Sequence, residues 1–303
     1  MLSATAADRF IRDRYGGRAG PLTPLGAGAW SRVYAFTLDG REMVAKFGAH
    51  RDDLEKDRRM GAFASLALPI PRVVEVGEAP EGHFAIAERV HGAYLDQLDE
   101  AGMRAALPDV LRLLGATASI DVSTSPGYGG WGADGAGSHP TWRDAVLAFA
   151  GDRLAGWEAA LDASPTGGGP LQTGLARLRE LSADLPDLRQ VIHGDLLHCN
   201  VLVEGPRVRG VLDWGNSMYG DALYDAAWLL FWWPWHPWPG IDIRTELDRH
   251  WRARGPVPAD LERRLRCYQL RIGLDHLTWY AHRREWDHLA RAARQTLALA
   301  TEG

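Results

Sequence analysis

The run Val191-Ile192-His193-Gly194-Asp195-Leu196-Leu197-His198-Cys199-Asn200-Val201-Leu202-Val203, closed by Val211-Leu212-Asp213-Trp214, constrains this chain more than any other stretch. Its apolar segments are short and are separated by a loop and by the turn at Gly205-Pro206, so they read as β-strands with tight connections. Asp195, Asn200 and Asp213 then fall at the ends of those strands. Oxygen donors of this kind and number suit Mg²⁺, which keeps several waters and accepts a few protein ligands plus substrate phosphates. The chemistry implied is phosphoryl transfer, with Asp195 orienting the attacking hydroxyl while Asn200 and Asp213 hold the metal. Singly, each residue also has a local reading, as a turn cap, a strand-entry residue or a helix cap. Their joint spacing favours chemistry. Composition adds weight, because the only two asparagines of the chain, Asn200 and Asn216, both lie here. His193 reads as a brace for the loop rather than as a base.

The pattern H-G-D-x-x-x-x-N, V-x-D-W and then Gly220-Asp221-x-x-Tyr224-Asp225 resembles the aminoglycoside and choline kinase group. Further stretches extend the likeness towards the hygromycin B phosphotransferases: Ala67 to Pro71, Gly127-Tyr128-Gly129 with Thr141 to Asp144, Phe231 to Trp235, and Leu270 to Asp275. The resemblance implies an α+β, bilobal, protein-kinase-like fold, with a small β-rich N-terminal lobe (residues 1–90) and a larger, mostly helical C-terminal lobe (residues 91–303). It also implies ATP as phosphoryl donor, with GTP as an alternative, Mg²⁺ as cofactor and an aminoglycoside as acceptor.

The N-terminal half supplies the expected nucleotide site. Leu25-Gly26-Ala27-Gly28-Ala29-Trp30-Ser31 lies between two extended segments, and Gly26 and Gly28 let backbone amides approach a phosphate, with Ser31 where a last glycine would stand. A hairpin turning at Asp39-Gly40 returns through Met43 to Phe47 and carries Lys46, matching the strand lysine that pairs with phosphates in protein kinases. Lysine is rare here (only Lys46 and Lys56), so that position is informative. Its acidic partner is expected on the helix-like stretch 52–68, at Glu55 or Asp57, which helix phase does not separate. A second hairpin, 72–77 and 83–90, ends in Glu88 to Val90, which match a hinge whose main chain reads adenine.

The C-terminal half reads as helices: one from Leu107 to Ala118 with Pro108 in its first turn, one started by Thr141 with Asp144, one from Leu171 to Leu185, one from Ala222 to Trp233, and a long one from about Pro258. Asp221 reads as a helix cap. Asn216, Asp225, Trp232, Trp235 and Asp275 are candidate contacts for a cationic sugar, since carboxylates and tryptophan faces both attract ammonium groups. For Asp275 the competing reading is a pair with Arg271.

A net charge of −5 gives no basic surface for nucleic acid. No window approaches the roughly 18 apolar residues of a membrane span. Cys199 and Cys267 are too few for a disulfide framework. His276, His282 and His288 recur every six residues and do not converge on a helix. The expectation is a cytoplasmic monomer without structural zinc. Other acceptors (a second aminoglycoside, a macrolide, an amino alcohol) and a nucleotide-binding module without turnover are the competing readings.

Overall fold

The computed structural model describes residues 2–28, 31–148 and 159–301. Contacts divide the chain into two compact units, Met1–Ala116 with Leu197–Ser217, and Thr117–Leu196 with Met218–Gly303.

The first unit holds a five-stranded antiparallel sheet. Its strands are β1 (Thr23–Ala27), β2 (Ser31–Leu38), β3 (Arg41–Gly48), β4 (Val73–Ala79) and β5 (Gly82–Glu88), in the order β1-β2-β3-β5-β4. The β2–β3 turn uses Asp39 and Gly40 at φ 51° and 78°, the positive values a two-residue hairpin of this hand requires. On β3, Met43, Ala45 and Phe47 point into a core shared with Phe84 and Ile86 and closed by Ala7 and Ile11 of the Ala4–Tyr15 helix. Because side chains alternate across a strand, Lys46 projects from the opposite face. It stands on the central strand, not on an edge.

Two helices of this unit differ from the sequence expectation. The helix expected over 52–68 spans only Arg51–Met60 and passes into a 3₁₀ turn at Gly61–Phe63, since Gly61 weakens it and Pro69 and Pro71 prevent its resumption. The helix expected from Leu107 begins at Glu100, so Pro108 lies inside it rather than in its first turn. Pro108 has no N–H for the Arg104 carbonyl. Burial of Met103, Ala106, Leu107, Val110, Leu111 and Leu114 along the same helix offsets that loss.

The first unit also takes in β6 (Ala93–Tyr94), β10 (Val201–Glu204) and β11 (Arg207–Val211), a sheet in the order β11-β10-β6. Tyr94 pairs with Leu202 and Ala93 with Val203. Pairing at that sequence distance leaves no local pattern, which is why a boundary after residue 90 looked natural.

The second unit is mainly helical around a small sheet, β7 (Tyr128–Trp131), β8 (Gly137–His139), β9 (Gln190–Ile192) and β12 (Met218–Gly220), ordered β8-β7-β12-β9. Helices run over Trp142–Leu147, Gly169–Leu181, Leu223–Trp232, Ile243–Arg252, Leu261–Arg283 and Trp286–Thr301. The Thr141 hydroxyl accepts the Asp144 N–H at 3.1 Å, the cap its spacing suggests. No helix among the described residues is long and apolar enough to cross a membrane.

A buried polar network anchors this unit. Asp221, 1% exposed, accepts from Arg264 at 2.8 Å and from the Tyr268 hydroxyl at 2.6 Å, and its other oxygen caps Leu223 N–H at 3.1 Å. Trp142 Nε1–H donates to the Tyr268 oxygen at 2.9 Å. Gly220 admits the Trp142 ring, since a Cβ there would sit 2.4 Å from it. Asp221 is thus more than the helix cap its position suggested. Removing one partner of a buried, hydrogen-bonded ion pair costs about 3–5 kcal/mol. Asp221→Ala is therefore expected to lower the urea midpoint by that much stability with the slope unchanged. A loss under about 1 kcal/mol would show that the network does not anchor the unit.

Candidate active site

In the β10–β11 hairpin Val201 faces Val211, and the pairing continues one step further as Leu212 N–H donates to the Asn200 carbonyl at 2.8 Å. Asn200 enters β10 and Asp213 follows β11, so antiparallel pairing delivers both to the open end of one hairpin. Asn200 is 5% exposed, whereas the Asp213 side chain is 50% exposed. Asp213 has a left-handed backbone, φ 58° and ψ 70°. For a residue with a Cβ that conformation costs roughly 1–2 kcal/mol, so the surroundings must hold it.

They do so through Lys46 and the Arg51–Met60 helix. Lys46 Nζ lies 2.9 Å from Asp57 and 3.1 Å from Asp213. The second Asp57 oxygen accepts the Trp214 N–H at 2.8 Å. Burial disfavours the ammonium, but Asp57 and Asp213 together outweigh it and hold Lys46 above the ordinary lysine range. The ion pair is therefore intact at neutral pH, and its stabilisation would be lost only as pH rises past that elevated value. Asp57 is thus the acidic partner. Glu55, the other candidate, is not: two residues turn a helix by about 200°, so it points away from Lys46. It is buried and pairs with Arg58 at 2.6 Å and Arg51 at 3.4 Å on its own helix.

Gly26 and Gly28 lie where β1 leaves the sheet, and Gly28 N–H donates to the Ser31 carbonyl at 2.9 Å, closing the turn. Ala29 and Trp30 of this loop lie outside the described residues. A Cβ on Gly26, which pairs with Val33 in β1, would meet no described residue within 4 Å. At the expected hinge, the N–H groups of Glu88 and Arg89 already bond to Arg72 and Glu42 carbonyls at 3.0 and 3.2 Å. Val90 packs its side chain towards Gly210. The Glu88 and Arg89 amides are thus both engaged within the fold.

The donors at the hairpin end fit the cation that the sequence implies. One amide oxygen and one carboxylate are hard ligands, and among the described residues no group of three or more His, Cys, Asp or Glu side chains gathers around them. An ion held there would complete its shell with phosphate oxygens and water, as Mg²⁺ does.

In the second unit, Asp195 is partly buried on the loop after β9, and its N–H donates to His193 Nδ1 at 3.2 Å. Gly194 at φ 78° takes a backbone that few other residues adopt. Asp225 holds this loop from behind: its oxygens accept the N–H groups of His193 at 2.8 Å and Gly194 at 2.9 Å. At 1% exposed it is not available to a sugar, which corrects its assignment as a substrate contact. Trp232 is corrected likewise. It is 3% exposed, with ring centroids of Phe231, Trp235 and His276 at 4.8, 5.0 and 4.6 Å, because helix phase turns it into the core with Trp228.

Trp235 is half-buried, donates Nε1–H to Gln295 at 3.0 Å and carries the Arg291 guanidinium 4.3 Å above its ring. Asp275 pairs with Arg271 one helical turn earlier, the competing reading. Asn216 is exposed on the Trp214–Asn216 turn of the first unit. The sequence reading missed the Trp142–Tyr268–Arg264 support of Asp221, for which no local signal exists.

Burial pushes the Asp225 carboxyl up to about 6, against the two backbone N–H bonds that favour its charge. Between the ordinary carboxyl value of about 4 and this raised one, the folded protein holds a proton that the unfolded chain has lost. The stability contributed by this group therefore falls as pH rises through that window and is flat above it. Asp225→Ala leaves two buried N–H groups without acceptors, at about 1–3 kcal/mol each. Urea titrations of both proteins should show that deficit, with the gap narrowing from about pH 4 to 6.

Known proteins match this arrangement closely. Residues 21–268 fit the pattern of the phosphotransferase enzyme family (APH). The chain is 34% identical over 278 residues to the hygromycin-B 4-O-kinase of Escherichia coli, covering 91% of this chain and 79% of that protein. Aminoglycoside phosphotransferase APH(4)-Ia superposes with a TM-score of 0.87 at 32% identity, covering 99% of this chain and all of that one. Its ternary complex with AMP-PNP and hygromycin B (a thermostable mutant) gives 0.85 at 32% identity, with 97% and 98% covered. The protein-kinase-like α+β fold expected from the sequence is the fold of these neighbours. A pattern spanning most of the chain, and a relative alike along most of both sequences, make this protein a member of the APH phosphotransferase enzyme family.

Proposed function

We propose that this protein transfers the γ-phosphoryl group of ATP to a hydroxyl of hygromycin B, giving resistance to that aminoglycoside. The observation that carries the reading is Lys46, held charged between Asp57 and Asp213 beside a hairpin end that presents Asn200. This is a cation with oxygen donors where a polyphosphate needs both. The acceptor is chosen from the kinase that is 34% identical along most of the chain. The solved complexes of APH(4)-Ia, 32% identical to this chain, hold AMP-PNP or ADP, which favours ATP over GTP as donor.

In this reading Asp195 accepts the proton of the acceptor hydroxyl. The hydroxyl oxygen forms a bond to the γ-phosphorus, the bond from that phosphorus to the bridging oxygen breaks, and ADP leaves with the electron pair. Lys46 and the backbone of Gly26 and Gly28 orient the phosphates, and Val90 and the Glu88 carbonyl flank the base. Asn200 and Asp213 hold Mg²⁺, which when bound neutralises charge on the β- and γ-phosphates. Catalysis is then positioning and charge compensation, since phosphoryl transfer asks little covalent chemistry of the protein. Trp235 and Asn216 remain candidate acceptor contacts, and Asp275 contributes if the sugar competes for its pair with Arg271. The reading implies a monomer working in the cytoplasm, where ATP is plentiful.

Two variants test it. With purified protein, ATP and hygromycin B, Asp195→Asn is expected to lower kcat by about 10²–10⁴-fold with the fold intact. Lys46→Met removes charged hydrogen bonds worth about 1.5–3 kcal/mol and should lower kcat/KM for ATP roughly ten- to a hundredfold. Phosphate transfer by Asp195→Asn at the wild-type rate would rule out the assigned base. A wild-type enzyme that phosphorylates other aminoglycosides but not hygromycin B would move the acceptor and leave the chemistry.

A further inference from the structure

Lys56, the other lysine of the chain, has no place in the scheme above, yet it is 6% exposed. A buried ammonium is expensive unless its donors are matched. Its Nζ donates to the Gly215 carbonyl at 2.7 Å and to the Ser217 carbonyl at 3.3 Å. Those carbonyls belong to the segment directly after Asp213. On the same helix the neighbouring Asp57 accepts the Trp214 N–H. Three backbone groups within four residues are therefore held by two adjacent side chains of one helix. Gly215 allows the approach, since a Cβ there would lie 3.2 Å from Asp53 and 3.4 Å from an Asp213 carboxylate oxygen.

We infer that Lys56 is a positioning residue that fastens the 214–217 backbone and thereby keeps Asp213 in its left-handed conformation with the carboxylate turned to the cation. The inference deepens the proposed function and rests on it for the role of Asp213. The backbone of Asp213 departs from what its residue type prefers, and the strain persists only if the chain on its far side is fixed. Asp57 fixes it at Trp214 alone. Lys56 adds the two points beyond, and a lysine suits them because its ammonium carries several donors on a flexible stem that can lie along apolar surface. Lys56 touches neither phosphate nor acceptor in this scheme. It acts through Asp213.

The test uses Lys56→Met, which keeps the stem and removes the donors. In the full-length protein without nucleotide or metal, hydrogen exchange of the peptide covering 212–219 should accelerate, while peptides of the β1–β5 sheet exchange as in wild type. In the assay with ATP and hygromycin B, the Mg²⁺ concentration for half-maximal rate should rise roughly 10- to 100-fold, as for other residues that support a metal ligand, with the KM for hygromycin B unchanged. Unchanged exchange at 212–219 together with an unchanged Mg²⁺ requirement overturns the inference. So does a fall in kcat alone, which is what a smaller folded fraction would give. If Lys56→Met does not fold, Lys56→Gln, which keeps a neutral amide NH2 in place of the ammonium, is read by the same two measurements. Failure of the wild type to phosphorylate hygromycin B would overturn the acceptor assignment, and the exchange measurement would still decide whether Lys56 fastens the segment.

Discussion

A lysine ammonium held between two carboxylates, Lys46 with Asp57 and Asp213, is the interaction around which the first unit is organised. It joins a central strand, a helix and the chain beyond a distant hairpin at one point. Its energetics are demanding. An ammonium withdrawn from water is tolerated only with opposite charge close by, and loss of a single carboxylate would leave the charge undercompensated. Asp57 is itself satisfied on its second oxygen by a backbone N–H, so its orientation does not depend on the lysine alone. The half-exposed Asp213 is different: it reaches Lys46 while half of its side chain stays accessible to solvent. That asymmetry separates a carboxylate enclosed by the fold from one that solvent reaches within a single cluster.

The motif from Gly220 to Asp225 shows the complementary case. It stands out in the sequence as strongly as the residues read as chemical, and every part of it has a structural occupation. Gly220 makes room for Trp142, Asp221 compensates Arg264, Tyr224 packs in the same aromatic group, and Asp225 receives the amides of the loop that carries Asp195. An acidic residue with a conspicuous position is thus here a brace behind the loop that carries Asp195.

These cases mark what could be read from the sequence. The strand signals, the Asp39-Gly40 turn and the pattern from His193 to Asp213 sufficed for the hairpins of the first unit, because each depends on near neighbours. The pairing of β6 with β10 did not, since the partners lie over a hundred positions apart along the chain. Lys46 was legible by its place after a glycine-rich turn, but its partner became unambiguous only when the helix phase was fixed relative to β3. Asp225 and Trp232 were misread as substrate contacts because composition reveals that a carboxylate or an indole is present, not which way a buried helix turns it. Pro108 suits the first turn of a helix from Leu107, yet packing of six apolar neighbours carries a longer helix across it.

The first unit is discontinuous in sequence, and Lys46 and Asp213 stand 167 residues apart. On the ribosome, the sheet that bears Lys46 is complete long before the strands that bring Asp213 have been made. During that interval Asp57 is the one carboxylate of the pair already made, and β6, which pairs with β10 in a separate sheet, has no strand beside it. A chain ending near residue 116 therefore carries this ion cluster unfinished, and synthesis past residue 217 is the point at which the first unit can be complete.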